Sequence, residues 1–293
     1  MPPMVGDTRR LSLGSFVLAK TVRSSSPTRP GTVGDMTQLT VGNAQITYRA
    51  EGSGPALVLV HGVGSGAAMW DELLPQLTDR NTVLLPDLSG SDAAEDDGAP
   101  LTIETLAEQV IAVIEHAGAG PADVVGFSLG APTAAAVAAL RPDLVRRLLP
   151  VAGFVHAEDE YLQQLITAWL ALTDNPEGFG RLGTLTSFTP RYLNEIGHDL
   201  AEQTRWFMSP VHGRLRQLDL VRRVDVRSLL PRIEAPTLVI GCTRDQLIPV
   251  ENHREFAGAI TGSEYTELDT GHVTMAERPA DFLKLVHDFL ARP

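Results

Sequence analysis

Short apolar runs alternating with segments of helical period constrain this chain more than any other feature of its sequence. Ala56-Leu-Val-Leu-Val60, Thr82 to Pro86, Ala122 to Phe127, Leu144 to Val151 and Pro236-Thr-Leu-Val-Ile-Gly241 have strand length and are dominated by consecutive apolar side chains. A sheet with one wet face would show polar residues at every second position, so these runs mark strands covered on both faces. Between them, Trp70 to Leu77, Ile103 to Ala117 and Ala131 to Leu140 place apolar residues at helical spacing. The order resumes late in the chain with a helix over Val250 to Ala259, a strand over Glu264 to Leu268 and a last helix ending near Leu290. Strands alternating with helices predict an α/β fold, a mostly parallel central sheet flanked by helices. Two short strands around the turn at Gly42-Asn43 are expected to precede it.

The alternation breaks from about Phe154 to Leu230, where Trp169, Tyr192, Trp206 and Phe207 sit in helix-like sequence with no strand evident. The expected division is therefore a core formed by residues 37–153 and 231–293, interrupted by a helical insertion over 154–230. Residues 1–36, with their Ser/Pro-rich segment, are expected to be a disordered extension, Met36 standing where strand-like sequence begins.

Composition narrows the partners. A chain of 293 residues, 43% of them hydrophobic, can bury a substantial core. The formal net charge of −12 argues against nucleic acid or an anionic membrane surface, which call for clustered Lys and Arg. Every apolar run falls short of the roughly 18 residues of a membrane span. The single cysteine, Cys242, allows no intramolecular disulfide and suits a reducing compartment, so a cytoplasmic protein with a small-molecule substrate is expected. No H-E-x-x-H, paired-cysteine or phosphate-loop pattern calls for a metal or organic cofactor, and none is expected.

Chemistry enters at Val124-Val-Gly-Phe-Ser-Leu-Gly-Ala131, a G-x-S-x-G placed at a strand-to-helix junction. A serine on so tight a turn is held in strained backbone geometry with its hydroxyl clear of the sheet, and Gly126 and Gly130 leave room for neighbouring backbone. The same turn sets the amide of Leu129 at a helix N-terminus, where unpaired N–H groups favour negative charge; that supplies half of an oxyanion hole. A serine hydroxyl is a poor nucleophile until an oriented base takes its proton. Two partners follow in the chain, each just past an expected strand: Asp245 in Gly241-Cys-Thr-Arg-Asp-Gln246, and His272 in Leu268-Asp-Thr-Gly-His-Val273. Their order, Ser128, Asp245, His272, points to a nucleophile, an orienting acid and a base.

Through these separated motifs the chain from about Leu39 to Phe289 resembles the α/β-hydrolase superfamily, as a serine-nucleophile member. The resemblance implies the α/β-hydrolase fold with a helical cap formed by residues 154–230. It implies that the amide of Val63, in His61-Gly-Val-Gly64, is the second oxyanion donor and that His61 is structural. Serine at the elbow sets the chain apart from the dehalogenases and epoxide hydrolases of the superfamily, which use aspartate. The activity implied is hydrolysis of a carboxylic ester or lactone of a small to medium, partly apolar molecule through an acyl-enzyme. Thioesterase or acyltransferase activity, cofactor-free perhydrolase or haloperoxidase activity, and a non-catalytic receptor on the same fold stay open. Carbon–carbon hydrolysis also stays open, although Val273 stands where such relatives often carry tryptophan. Trp169, Phe188, Trp206, Phe207 and Val273 are candidates for the pocket lining, and Arg181, Arg191, Arg205 and Arg214 for a substrate carboxylate. Where many relatives read D-x-x-G-x-G-x-S, this chain has Asp87-Leu-Ser-Gly-Ser-Asp-Ala-Ala94, followed by an acidic Glu95-Asp96-Asp97 expected to be a solvated loop tip.

Overall fold

The structure, a computed structural model, describes residues 36–292; apart from Met36, the N-terminal extension lies outside them. Eight strands form one sheet: β1 (Thr37–Val41), β2 (Ala44–Gly52), β3 (Ala56–Val60), β4 (Thr82–Asp87), β5 (Ala122–Phe127), β6 (Val145–Val151), β7 (Leu238–Cys242) and β8 (Glu264–Leu268), in the order β1-β2-β4-β3-β5-β6-β7-β8. Only β2 runs against its neighbours β1 and β4; all other pairings are parallel. Every residue of β3, β5 and β7 is buried, which is why their sequences are apolar without alternation.

Helices cover both faces. On one side pack α2 (Ile103–His116) and α3 (Gly130–Leu140), the latter buried at almost every position and built from alanines that let it lie close to β5 and β6. On the other lie Trp70, Leu73, Leu77 and the last helix, α10 (Pro279–Leu290). The apolar spacing from Trp70 to Leu77 does not make one helix. It divides into a 3₁₀ turn over Ala67–Trp70 and a single turn, α1 (Leu74–Leu77), because Pro75 has no N–H to extend a helix entering from upstream. The spacing reports burial, since Trp70, Leu73, Leu74 and Leu77 all sit in the core.

Between β6 and β7 the chain forms four helices, α4 (Glu160–Leu170), α5 (Pro176–Ser187), α6 (Pro190–Phe207) and α7 (His212–Val221). Asp159, Asn175 and Thr189 cap the first three through side-chain oxygens that accept from backbone amides. Gly197, at φ +78°, kinks α6 in a left-handed conformation that a side chain would strain. Two short segments complete the core, α8 (Val250–Ala259) and α9 (Thr274–Glu277). Among the described residues no helix is long and apolar enough to cross a membrane.

The sheet order reverses at β3: the chain leaves it for β4 on one side and next returns to β5 on the other. The loops after β3 and β5 therefore part at their carboxyl ends and open a crevice, where open α/β sheets bind ligands. His61–Gly64 and Ser128 occupy those two loops.

Candidate active site

Ser128 follows β5 with φ +55°, a left-handed conformation uncommon for a residue with a side chain. Neighbouring backbone enforces it: the Ser128 amide donates to the Val151 carbonyl at 2.9 Å, and the Ser128 carbonyl accepts from Ala131 N–H at 2.9 Å. The flanking glycines are required by close approach. A Cβ on Gly126 would lie 2.1 Å from the Gly130 carbonyl oxygen, and one on Gly130 would lie 2.4 Å from that of Val60.

His272 and Asp245 arrive from the loops after β8 and β7. The three side chains form a continuous hydrogen-bonded line, Ser128 Oγ to His272 Nε2 at 2.9 Å and His272 Nδ1 to Asp245 Oδ2 at 2.6 Å. All three residues are buried. Asp245 is fixed further by Leu247 and Ile248, whose amides each donate to Oδ1 at 2.8 Å. The Phe127 ring lies 4.9 Å from the imidazole, limiting its tilt. With the imidazole proton on Nδ1, directed at the carboxylate, Nε2 is free to accept from the serine hydroxyl.

Leu129 is the N-cap of α3, and Val63 lies in the loop after β3; neither amide takes part in the loop hydrogen bonds of the described residues. That loop is held from below by His61, whose Nδ1–H donates to the Gly62 carbonyl at 2.8 Å while Nε2 accepts from Leu88 N–H at 3.1 Å. Complete burial keeps His61 below its ordinary pKa and hence neutral, as this pair of bonds demands. From above it is held by α7: Gly64 N–H donates to Gln217 Oε1 at 2.6 Å, and Arg214 Nη2 donates to the Gly64 carbonyl at 2.8 Å. Gln217 also donates to the Ser89 carbonyl, tying in the loop after β4.

A cavity of about 60 Å³ opens over Ser128 and His272. Trp169 and Val273 line it, together with Val63, Phe127, Phe154, Ile166, Met208, Arg214 and Ile248. The other three aromatic candidates do not. Phe188 is buried against Tyr192, its ring stacked at 5.2 Å. Trp206 is 64% exposed at the end of α6 with the Arg205 guanidinium over its ring, and Phe207 beside it is absent from the lining. Position along an amphipathic helix does not reveal which face looks down on the sheet. In the acidic loop Glu95 and Asp97 are exposed as expected, but Asp96 accepts from Arg216 of α7 at 2.6 Å and from Gly98 N–H at 2.9 Å and so anchors the loop. Among the described residues no group of three His, Cys, Asp or Glu side chains is arranged for a metal ion.

One residue of the site escaped the sequence reading. His253, fully buried on α8, accepts from Cys242 N–H through Nδ1 at 3.1 Å, which puts its proton on Nε2, 3.6 Å from Asp245 Oδ2. The signal was a titratable residue on the apolar face of α8, three positions before the buried Phe256. Burial lowers its pKa to about 4. Since unfolded histidine titrates near 6.5, the unfolded chain binds the extra proton between these values, and acidification favours unfolding. His253 should remove about 2 kcal/mol of stability between pH 7 and pH 5. Urea midpoints at the two pH values should differ less in His253→Asn, whose side-chain carbonyl can still accept from Cys242; an unchanged difference would show that the folded protein takes up the proton.

Comparison with known proteins decides the family. The model of the α/β-hydrolase fold matches residues 55–279. This chain is an α/β-hydrolase. It is 40% identical over 261 residues to a pyrrolizixenacetamide deacetylase of Xenorhabdus hominickii, covering 87% of this chain and 98% of that one. It is 28% identical over 249 residues to a pimeloyl-acyl-carrier-protein methyl ester esterase of Methylococcus capsulatus, covering 82% and 96%. Among solved structures, the enol-lactonase of Burkholderia xenovorans superposes with a TM-score of 0.78 at 26% identity, covering 87% of this chain and all of that one. The α/β-hydrolase is thus an enzyme that resembles named hydrolases over nearly the whole of their length.

Proposed function

We propose that this α/β-hydrolase cleaves an ester, lactone or amide of a small, partly apolar molecule through an acyl-enzyme on Ser128. The observation that carries the reading is the Ser128–His272–Asp245 hydrogen-bonded line beneath a mostly apolar cavity. His272 Nε2 takes the hydroxyl proton as Oγ attacks the acyl carbon, and Asp245 holds the imidazole and balances its charge. The Leu129 and Val63 amides receive the developing oxyanion. His272 then protonates the leaving group, and water, deprotonated by the same imidazole, releases the acid. Residues 154–230 act as the cap that sets substrate choice, through Trp169, Ile166 and Arg214.

Two observations favour amide substrates with short acyl groups within this reading. The relative that is 40% identical is named for removing an acetyl group from an acetamide. The cavity over Ser128 is compact, about 60 Å³, which suits a short acyl group beside the nucleophile. A p-nitrophenyl ester series of increasing acyl length, run beside p-nitroacetanilide and with fluorophosphonate labelling of Ser128, tests both points. Labelled Ser128 with turnover falling beyond short acyl chains is expected. Labelling without turnover of any ester or amide would point instead to a ligand receptor on the same fold.

A further inference from the structure

Arg214 lines the same cavity as Ser128 and His272 and is only 4% exposed. A guanidinium carries five N–H donors and a charge that water normally solvates. Here Nη1 donates to the Ser209 carbonyl, Nη2 to the Gly64 carbonyl at 2.8 Å, and the buried Nε has no partner among the described residues. Two carbonyl dipoles satisfy donors without cancelling the charge. The other three arginines considered for a carboxylate are all committed elsewhere: Arg181 to Glu177 and Glu202, Arg191 to Glu195, and Arg205 to Glu202. None of these ion pairs includes Arg214, and the charge of Asp92 favours its cationic form. Burial pulls the guanidinium down to about 10, so it remains a cation at neutral pH.

A buried cation without a paired anion is costly unless something in the function uses it. Its position is also fixed. A Cβ on Gly64 would collide with Arg214 Nε, so the Arg214 side chain packs closely against a residue that has to be glycine at φ +59°. We propose that Arg214 is an anion subsite and that the substrate carries a carboxylate beside its apolar body. Phe154, Ile166, Trp169 and Leu218 would cover the apolar part, and in that water-poor setting a charge-assisted hydrogen bond is strong. The protein's net charge of −12 gives no long-range attraction for anions, so the selectivity is local to this side chain. This inference rests on Ser128 being the nucleophile.

Matched substrates test it. Monoethyl succinate against ethyl butyrate places the carboxylate on the acyl side; 3-acetoxybenzoate against 3-acetoxytoluene places it on the leaving group. In at least one pair the wild type should favour the carboxylate by about tenfold or more in kcat/KM, the gain residing in KM. Arg214→Met should abolish the preference, and Arg214→Lys should restore part of it. The wild-type comparison stands even if a variant misfolds: preference for the neutral member of both pairs overturns the subsite, as does an equal loss on both members in Arg214→Met. Turnover of neutral esters with Ser128 labelled but no carboxylate preference would leave the hydrolase reading intact and end this one. An unlabelled Ser128 would end both.

Discussion

Ser128→Ala lowers kcat/KM by about 10⁴-fold or more on any ester that the wild type hydrolyses, and abolishes fluorophosphonate labelling. The size follows from the geometry: the hydroxyl has no substitute within reach, and the imidazole 2.9 Å away has nothing else to deprotonate but water. His272→Ala should cost about as much. Asp245→Asn leaves the bonds from Leu247 and Ile248 possible but offers the imidazole an amide where a carboxylate accepted its proton, and about 10⁴-fold is again expected. The three act as a unit, so the triple variant should be scarcely worse than Ser128→Ala alone. Wild-type activity in Ser128→Ala would remove the central assignment.

Gly130→Ala destabilises the fold by about 3 kcal/mol, a large penalty for one methyl group. The added carbon would meet the Val60 carbonyl oxygen at 2.4 Å and that of His61 at 2.7 Å, and neither is the movable end of a side chain. To admit it, β3 and the start of α3 must separate, which also pulls the Ser128 turn away from the Val63 loop. Gly258→Ala is the matching control. It lies in α8 with nothing within 4 Å of the new carbon, so it should be neutral or gain up to about 1 kcal/mol from helix propensity. Denaturant midpoints of the two variants should shift in opposite directions or by very different amounts; equal shifts would mean that the elbow is not packed as described.

Much of this arrangement is legible from sequence because it follows from local rules. The runs at Ala56, Ala122 and Leu238 are strands buried on both faces, and such strands have only one kind of sequence. Ser128, Asp245 and His272 each stand just past a strand, so parallel topology alone delivers them to the same edge of the sheet. The roof obeys no such rule. Whether Trp169 or Trp206 faces the cavity depends on how α4 and α6 rotate against their neighbours, and one is buried while the other is exposed. Arg214 could not be told from Arg181 or Arg205, because what separates them is an acidic partner, which those two have and which Arg214 lacks among the described residues. His253 was invisible for a similar reason: its bond to Cys242 N–H joins a helix to the strand beside it, a contact set by packing.

The grip of α7 on Gly64 bears on how such an enzyme changes its substrates over time. One helix both contributes Arg214 and Leu218 to the wall of the cavity over Ser128 and clasps the peptide beside the Val63 amide through Gln217 and Arg214. In the proposed hydrolase, recognition and rate are therefore not separate modules. A roof transplanted from a relative would bring its own preferences but leave residues 61–64 without their clasp, and turnover would fall even for substrates that the new roof welcomes. Lineages exploring new substrates must alter α7 and the loop after β3 together, or confine their changes to α4, α5 and α6.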